Sequence, residues 1–408
     1  MSTYRSARRS AGFAAFLASA GVAFAGAPQY TIVDLGTLDP ADNLQGLRVS
    51  SGGVAVGRTL GVTNQGFSWT EGGGIVGLPS LAGQPFGAAN GANDVGQAAG
   101  TCAQTFFGSS PLPVIWDNGV VSQLPLPAGQ TLGRANDIND SGLAVGSVNG
   151  GVLESAVMYT TSGSTLITTA TEGGATMTTA FSVNKDGLIV GNGGDPANAA
   201  RNVGLLYDSV EDRMTEVGVL PSTNGAIAFD VSDAGHVVGV SSFNQASGVP
   251  FIWTEAGGSV AIPLPAGTTQ GSARGVNSSG MAVGTASNAF AIPFFFDGTA
   301  TYIITDLLAD TDGWDLTTNT SSSAMGISDD GVIVGSGMRD GLVKAYALIP
   351  VGNTCPTDLD FSGATDAGDL AILLAAWGGA GTADFDDSGA VDAGDLAILL
   401  AGWGPCDF

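Results

Sequence analysis

The 408-residue chain is short of bases. Twelve Lys and Arg stand against 37 Asp and Glu, a formal charge of −25. A surface this acidic repels phosphate backbones and anionic lipid, which argues against nucleic-acid or membrane-surface binding. Histidine is almost missing too. His236 is the one copy, so a Ser-His-Asp triad or a His-rich metal site finds almost no support. Cysteines number three, too few for a disulfide framework across a chain of this length. No apolar run approaches the roughly twenty residues of a membrane span. What the chain does have is glycine, 64 residues of it, in a composition that is 44% apolar. That mix suits a turn-rich all-β protein and argues against disorder.

The first 25 residues read as a secretory signal peptide. Arg5, Arg8 and Arg9 form a basic start, Phe13 to Val22 an apolar centre, and Ala23-Phe24-Ala25 a small-residue cleavage site. Loss of the three leader arginines leaves nine bases against 37 acids, or −28. The expectation is a secreted protein in a medium that permits disulfides and supplies calcium.

A phrase then recurs seven times. A β-branched or small residue is followed by Asn or Ser, two turn residues, Gly, two variable positions, Val or Ala, and a final Gly. The copies run 49–57, 92–100, 138–146, 183–191, 231–239, 276–284 and 327–335. Their final glycines are separated by 43, 46, 45, 48, 45 and 51 residues. A period near 45 is a propeller-type repeat. Each phrase reads as a β-hairpin turn, with Asn or Ser opening it and the first Gly in the left-handed region. Aromatic-bearing strands follow, such as 67–69, 114–116, 205–207 and 251–253, and then usually a fourth strand, as at 120–124, 214–217 and 302–307.

Four strands per unit is the blade of a β-propeller. The seventh unit stops at Ile349 without a fourth strand, while residues 30–38 offer a spare one. Pairing the two closes the ring and removes an exposed edge. We therefore expect residues 28–350 to form an all-β seven-bladed β-propeller, about 45 residues per four-stranded blade, its last blade closed by the N-terminal strand. The repeated Asp94, Asp140, Asp186 and Asp233 read as turn formers, and the strand aromatics as core. Cys102 reads as a buried small hydrophobe.

After a short linker, 351–354, residues 355–408 hold one phrase twice: 358–369 and 384–395. Oxygen-bearing side chains fall at loop positions 1, 3, 5, 9 and 12: Asp358, Asp360, Ser362, Asp366 and Asp369, then Asp384, Asp386, Ser388, Asp392 and Asp395. Gly363 and Gly389 occupy position 6, and Ala364 and Ala390 at position 7 offer backbone carbonyls. This is the spacing of a twelve-residue calcium loop, so two Ca2+ ions are expected. Asp387, at position 4, points away from such a site. Converging carboxylates repel by several kcal/mol (order of magnitude) at surface-like dielectric, which makes metal binding part of folding. No Lys or Arg lies between 355 and 408 to neutralise them. Cys355 and Cys406 bracket the pair, and a disulfide between them would close about fifty residues and contribute roughly 4 kcal/mol.

Each loop runs into one apolar helix, with Leu370, Ile372, Leu373, Leu374 and Trp377 in the first and Leu396, Ile398, Leu399, Leu400 and Trp403 in the second. Two calcium loops with single exit helices resemble a type I dockerin domain. The resemblance implies a small α-helical calcium-binding module that meets a cohesin-like partner through its helices. Positions 10 and 11, which help choose the cohesin in that family, are Ala367-Gly368 and Ala393-Gly394, not the hydroxyl residues often found there. The units over residues 30–348 resemble the extracellular HAF repeat family, which is known by repeat more than by activity. Two readings follow: a non-catalytic binding or structural propeller attached through the dockerin-like module to an extracellular partner, or a carbohydrate-active enzyme, a glycoside hydrolase or lyase acting on polysaccharide. The lone His and the want of a copy-breaking acidic pair favour the first.

Overall fold

In the computed structural model the described residues are 28–105, 108–149, 154–242, 248–351, 357–359, 364–379, 381, 383–386 and 388–405. The expected leader (1–25), most of the expected linker, Asp360, Ser362 and the cysteines 355 and 406 lie outside them. The chain divides into two compact units, one covering 27–353 and the other containing 354–408.

The larger unit is a seven-bladed propeller. Each of seven sheets has four antiparallel strands, the first innermost: 43–78, 86–123, 132–166, 176–217, 225–261 and 270–303 for blades 1 to 6. Blade 7 takes three strands from 323–350 and its fourth, Tyr30–Asp34, from the N-terminus, with Tyr30 opposite Pro350 and Asp34 opposite Tyr346. The expected closure is present. Seven apolar layers hold the ring, each shared by two neighbouring blades. Phe67 and Leu44 of blade 1 pack with Val334 and Ala345 of blade 7, and Ile189 and Leu205 of blade 4 pack with Val145 and Ala156 of blade 3. Burying one such large side chain contributes about 1.5–3 kcal/mol. The strand aromatics are core, as expected: Phe67, Trp116, Tyr159, Phe251, Phe294 and Tyr346 are all buried.

The repeated phrase explains both of its glycines. The first, Gly53 and its six counterparts, has φ between +79° and +88° in every blade, the left-handed position of the hairpin turn. The last has no room for a side chain. A Cβ on Gly146 would sit 1.9 Å from the Arg134 carbonyl oxygen, and on Gly57 it would sit 2.0 Å from that of Gln45. The cause is a β-bulge that displaces every inner strand at the same place, as between Gly46 and Arg48 or Ala135 and Asp137. One strand differs from expectation. Residues 302–307 do not continue as a strand; after Thr301–Ile303 the chain winds into a 3-10 turn, Ile304–Leu307. Ile304 and Leu307, three apart, then point the same way into the layer between blades 6 and 7.

Among its described residues the smaller unit has two nine-residue helices of identical sequence, α1 (Ala367–Ala375) and α2 (Ala393–Ala401). They share a core of Leu373, Leu399, Ala383 and Val391. A two-residue pair, Ala364–Thr365 with Gly404–Pro405, joins its ends.

Candidate functional site

The candidate metal centre builds from the capping of the helices. Asp366 and Asp392 sit at the N-caps, and each accepts a 2.7 Å bond from the backbone N–H two residues on. Asp369 and Asp395, three residues later, reach back as the reciprocal half of a capping box. Asp395 Oδ2 accepts from the Asp392 N–H at 2.8 Å and Oδ1 from the Phe385 N–H at 2.6 Å. Asp369 does the same with Asp366 and Leu359, at 2.7 and 2.5 Å. The two position-12 carboxylates are thus fully buried and fixed by the loop's own backbone. The Asp392 N–H, ahead of the other backbone donors, holds the Asp395 carboxyl below the ordinary carboxylate range against the opposing effect of burial.

In the second loop these bonds bring together carboxylate oxygens of Asp384, Asp386 and Asp395 that all lie within 4.8 Å of one another. Asp384 turns inward, accepting from the Ser388 and Gly389 N–H groups at 3.0 and 2.8 Å. Ser388 Oγ donates to Asp384 Oδ1 at 3.5 Å, at the edge of this cluster, while Asp392 lies beside it. Ser388 Oγ is 3.1 Å from the Ala390 carbonyl, and Asp392 is spent on its cap. In the first loop Asp358 and Asp369 are buried and Asp366 caps, while Asp360 and Ser362, like the cysteine pair 355 and 406, fall outside the described residues. Ala364 and Ala390 are placed at their loop positions, Ala364 within the short strand pair. Three carboxylate donors of hard oxygen character around one point suit a divalent cation such as calcium.

The helices leave two matching apolar sets outside the core: Ile372, Leu374 and Trp377 on one, Ile398, Leu400 and Trp403 on the other, 37% to 53% exposed.

The propeller has a second constellation that sequence reasoning missed. At the turn end of the central channel a cavity of about 80 Å³ is lined by residues from all seven blades. Arg48 of blade 1 crosses the channel there. Its Nη1 lies 2.5 Å from Asp230 Oδ1, and its Nη2 donates to the Phe181 carbonyl at 3.2 Å and lies 3.7 Å from Asp137 Oδ2. Ser182 Oγ stands between the two acids, 2.8 Å from Asp137 and 2.7 Å from Asp230. Val183 and Val276 donate backbone N–H bonds to the same carboxylates at 3.1 and 2.9 Å. Burial pushes the Asp137 carboxyl up, Arg48 draws it partly back, and Asp230 raises it again. Burial alone would lower the Arg48 pKa, but Asp230 and Asp137 outweigh it and hold the group charged. A hydroxyl has one proton, so Ser182 donates to one of the two carboxylates at a time.

A signal was present. Two residues before the turn Asn or Ser, the copies read Arg48, Gly91, Asp137, Ser182, Asp230, Gly275 and Gly326, and the charged exceptions are the network. The turn acids do more than form turns. Asp94 accepts from the Gly52 N–H of the preceding blade at 2.8 Å, Asp140 from Asp94 at 2.9 Å, Asp233 from Lys185 at 2.8 Å and Asp329 from Ser278 at 2.8 Å. Asn93, Asn139, Asn184 and Asn277 each donate their side-chain amide to the next blade's turn carbonyl, at 2.9–3.2 Å. Asp186 instead pairs with Lys185. Cys102 is buried and free, as expected, its thiol pushed up by burial.

Fold and channel together define a closed seven-bladed propeller followed by a small two-helix module. No protein-family model matches the chain, and no curated protein is similar to it in sequence. Among solved structures it is similar to a catalytically inactive virginiamycin B lyase from Staphylococcus aureus with quinupristin, at 12% identity and a TM-score of 0.51, over 79% of this chain and 99% of that one. It is similar also to the selenomethionine-substituted form of that lyase, at 13% identity and 0.50, with the same coverage. A streptogramin B lyase structure aligns at 13% and 0.48 over 78% and 97%. At these identities the likeness is one of fold. Among the described residues no helix is long and apolar enough to cross a membrane.

Proposed function

We propose that this is a secreted, non-catalytic propeller carried by a calcium-folded, dockerin-like module that attaches it to a cohesin-like extracellular partner. The observation that carries the reading is the convergence of Asp384, Asp386 and Asp395 at loop positions 1, 3 and 12. The duplicated spacing extends it to Asp358, Asp360 and Asp369, giving two ions. The matching apolar sets, one on each helix, are the docking surface, and the identity of α1 and α2 lets either present it. Calcium titration of the full chain should show two sites. Asp384→Asn with Asp395→Asn should remove one, and chelator should reduce helical signal. Two sites retained in that double variant would sink the assignment.

The second reading, a glycoside hydrolase or lyase, rests on Asp137 and Asp230, which the Ser182 hydroxyl brings within bonding reach of one oxygen. Retaining glycosidases use two carboxylates about 5–5.5 Å apart. Here both are already filled by Arg48, Ser182 and backbone donors, an arrangement that favours a structural cross-tie. Reducing sugar released from a polysaccharide by the wild type, and lost in Asp137→Asn, would reverse the preference.

A further inference from the structure

The propeller's few cations are mostly paired. Of the nine Lys and Arg beyond the leader, Arg48, Lys185, Arg201, Arg213 and Arg339 form ion pairs. Four form none among the described residues, although 37 acids are available: Arg274 lies over the Phe229 ring and Lys344 donates to the Asp42 carbonyl, which leaves Arg58 and Arg134. They face the same cavity of about 60 Å³ between blades 1, 2 and 3, and among the described residues no Asp or Glu lines it. The residue after each phrase's last glycine is Arg58 in blade 1 but neutral elsewhere: Thr101, Ser147, Asn192, Val240, Thr285 and Ser336. Arg134 likewise stands where the other inner strands carry Gln45, Ala88, Thr179, Ile227, Ser272 or Ser323. Two copy-breaking charges of like sign have been brought together in a protein of the opposite sign.

The surroundings are built for them. Arg58 Nε donates to Gln45 Oε1 at 2.9 Å, which aims the guanidinium and leaves its two terminal nitrogens unspent. Gly108, at φ +75°, leaves space that a Cβ would close to 2.9 Å from Arg134 Nη2. Thr101 lines the same cavity. It is 5% exposed and its hydroxyl has no hydrogen-bond partner, which is rare for a buried polar atom and points to a missing ligand atom. Burial, and then the charge of Arg134, lowers the Arg58 pKa, so an entering anion relieves a repulsion. A larger groove of about 570 Å³ adjoins, sharing Leu60, Asn64 and Phe86 and adding the side-chain amides of Asn43 and Gln45.

We propose that Arg58, Arg134 and Thr101 form an oxyanion site, taking the carboxylate of a small ligand whose uncharged body lies over Phe86 and Leu60 in the adjoining groove. Paired guanidinium forks match a planar carboxylate in shape as well as charge. The acidic surface elsewhere favours a monoanion over a polyanion. This goes beyond the proposed attachment role and does not depend on the calcium loops.

The test is calorimetric titration of the calcium-loaded full chain with galacturonate, acetate, inorganic sulfate and neutral galactose. Galacturonate binding that weakens with salt, with galactose silent, supports the proposal. Arg134→Gln and Arg58→Gln should each weaken it at least about tenfold, the loss expected for one charge-assisted bond, and Thr101→Val should weaken it less. Unfolding midpoints keep the readout separate from folding: Arg134 is exposed, and its variant should melt like wild type. Sulfate bound more tightly than galacturonate would overturn the carboxylate assignment. No anion binding at tens of millimolar, or binding unchanged in both arginine variants, would overturn the site. Calcium stoichiometry stays at two in each outcome unless the attachment reading itself fails.

Discussion

Single residues in this ring are under unequal strain, and Arg48 is the most committed. It is the cation between two buried carboxylates drawn from blades 3 and 5. Removing one partner of a buried ion pair leaves an uncompensated charge and costs about 3–5 kcal/mol. Arg48→Met should therefore lower propeller stability by that amount at pH 7, read as a shift in the urea midpoint. The deficit should depend on pH in a definite direction. Asp137 already has its folded pKa raised by burial, above the unfolded value of about 3.9. Between the two values the folded state binds more protons, so its contribution to stability falls as pH rises. Without Arg48 the upward shift grows. The variant should thus recover part of its loss as pH falls from 7 towards that unfolded value, and Asp137→Asn added to Arg48→Met should flatten that slope. A deficit independent of pH would show that Arg48 acts by packing alone.

At the scale of the element, the inner strand and its turn are a joint as well as a fold unit. The Asn side chain closes its own turn through Oδ1, as Asn184 does with the Leu188 N–H at 2.9 Å, and donates Nδ2 to the next blade. The Asp after it accepts from the blade before: Asp94, Asp140, Asp233 and Asp329 make the bond, Lys185 in the same position has no acceptor, and Ser278 there donates its hydroxyl to Asp329 instead. Asp94→Ala should cost about 1 kcal/mol, the net worth of one such hydrogen bond, and expose the Gly52 amide to faster hydrogen exchange. Asp94→Asn keeps the acceptor and should keep the protection. Equal loss in both would assign the effect to charge instead. The strands, their order within a blade and the turn glycines were readable from the seven phrases because those features repeat and are local. The latches were not, since their partners lie about 45 residues away and meet only when the ring closes. Arg48, Asp137, Ser182 and Asp230 escaped for the opposite reason: a reading that looks for what the copies share passes over the position where they differ. The grouping of Asp384, Asp386 and Asp395 was legible because its side chains lie within twelve residues of one another, and the capping bonds of Asp395 hold the shorter acid in place.

At the scale of the whole molecule, the closure of blade 7 decides whether the ring is one cooperative body. Tyr30–Asp34 runs antiparallel along Leu342–Pro350 over five residue pairs, and it buries Tyr30, Ile32 and, just beyond, Leu35. Two of these belong to the layer between blades 6 and 7 and the third to the layer between 7 and 1, so the strand pins both sides of the seam. Ile32→Ala should cost about 2–5 kcal/mol, a loss that unfolds the entire propeller if the ring melts as one. Removing residues 28–38 should do more. It leaves the blade's third strand as an open edge with unpaired N–H and C=O groups, the template for association. The trimmed protein should therefore self-associate, visible by light scattering, and melt at a lower temperature. A synthetic peptide of residues 28–38 should restore the monomer by adding back as the edge strand, whereas the same peptide with Ile32→Asp should not. If the trimmed chain stayed monomeric with an unchanged melting point, the N-terminal strand would be an ornament on a ring already closed by its seven layers.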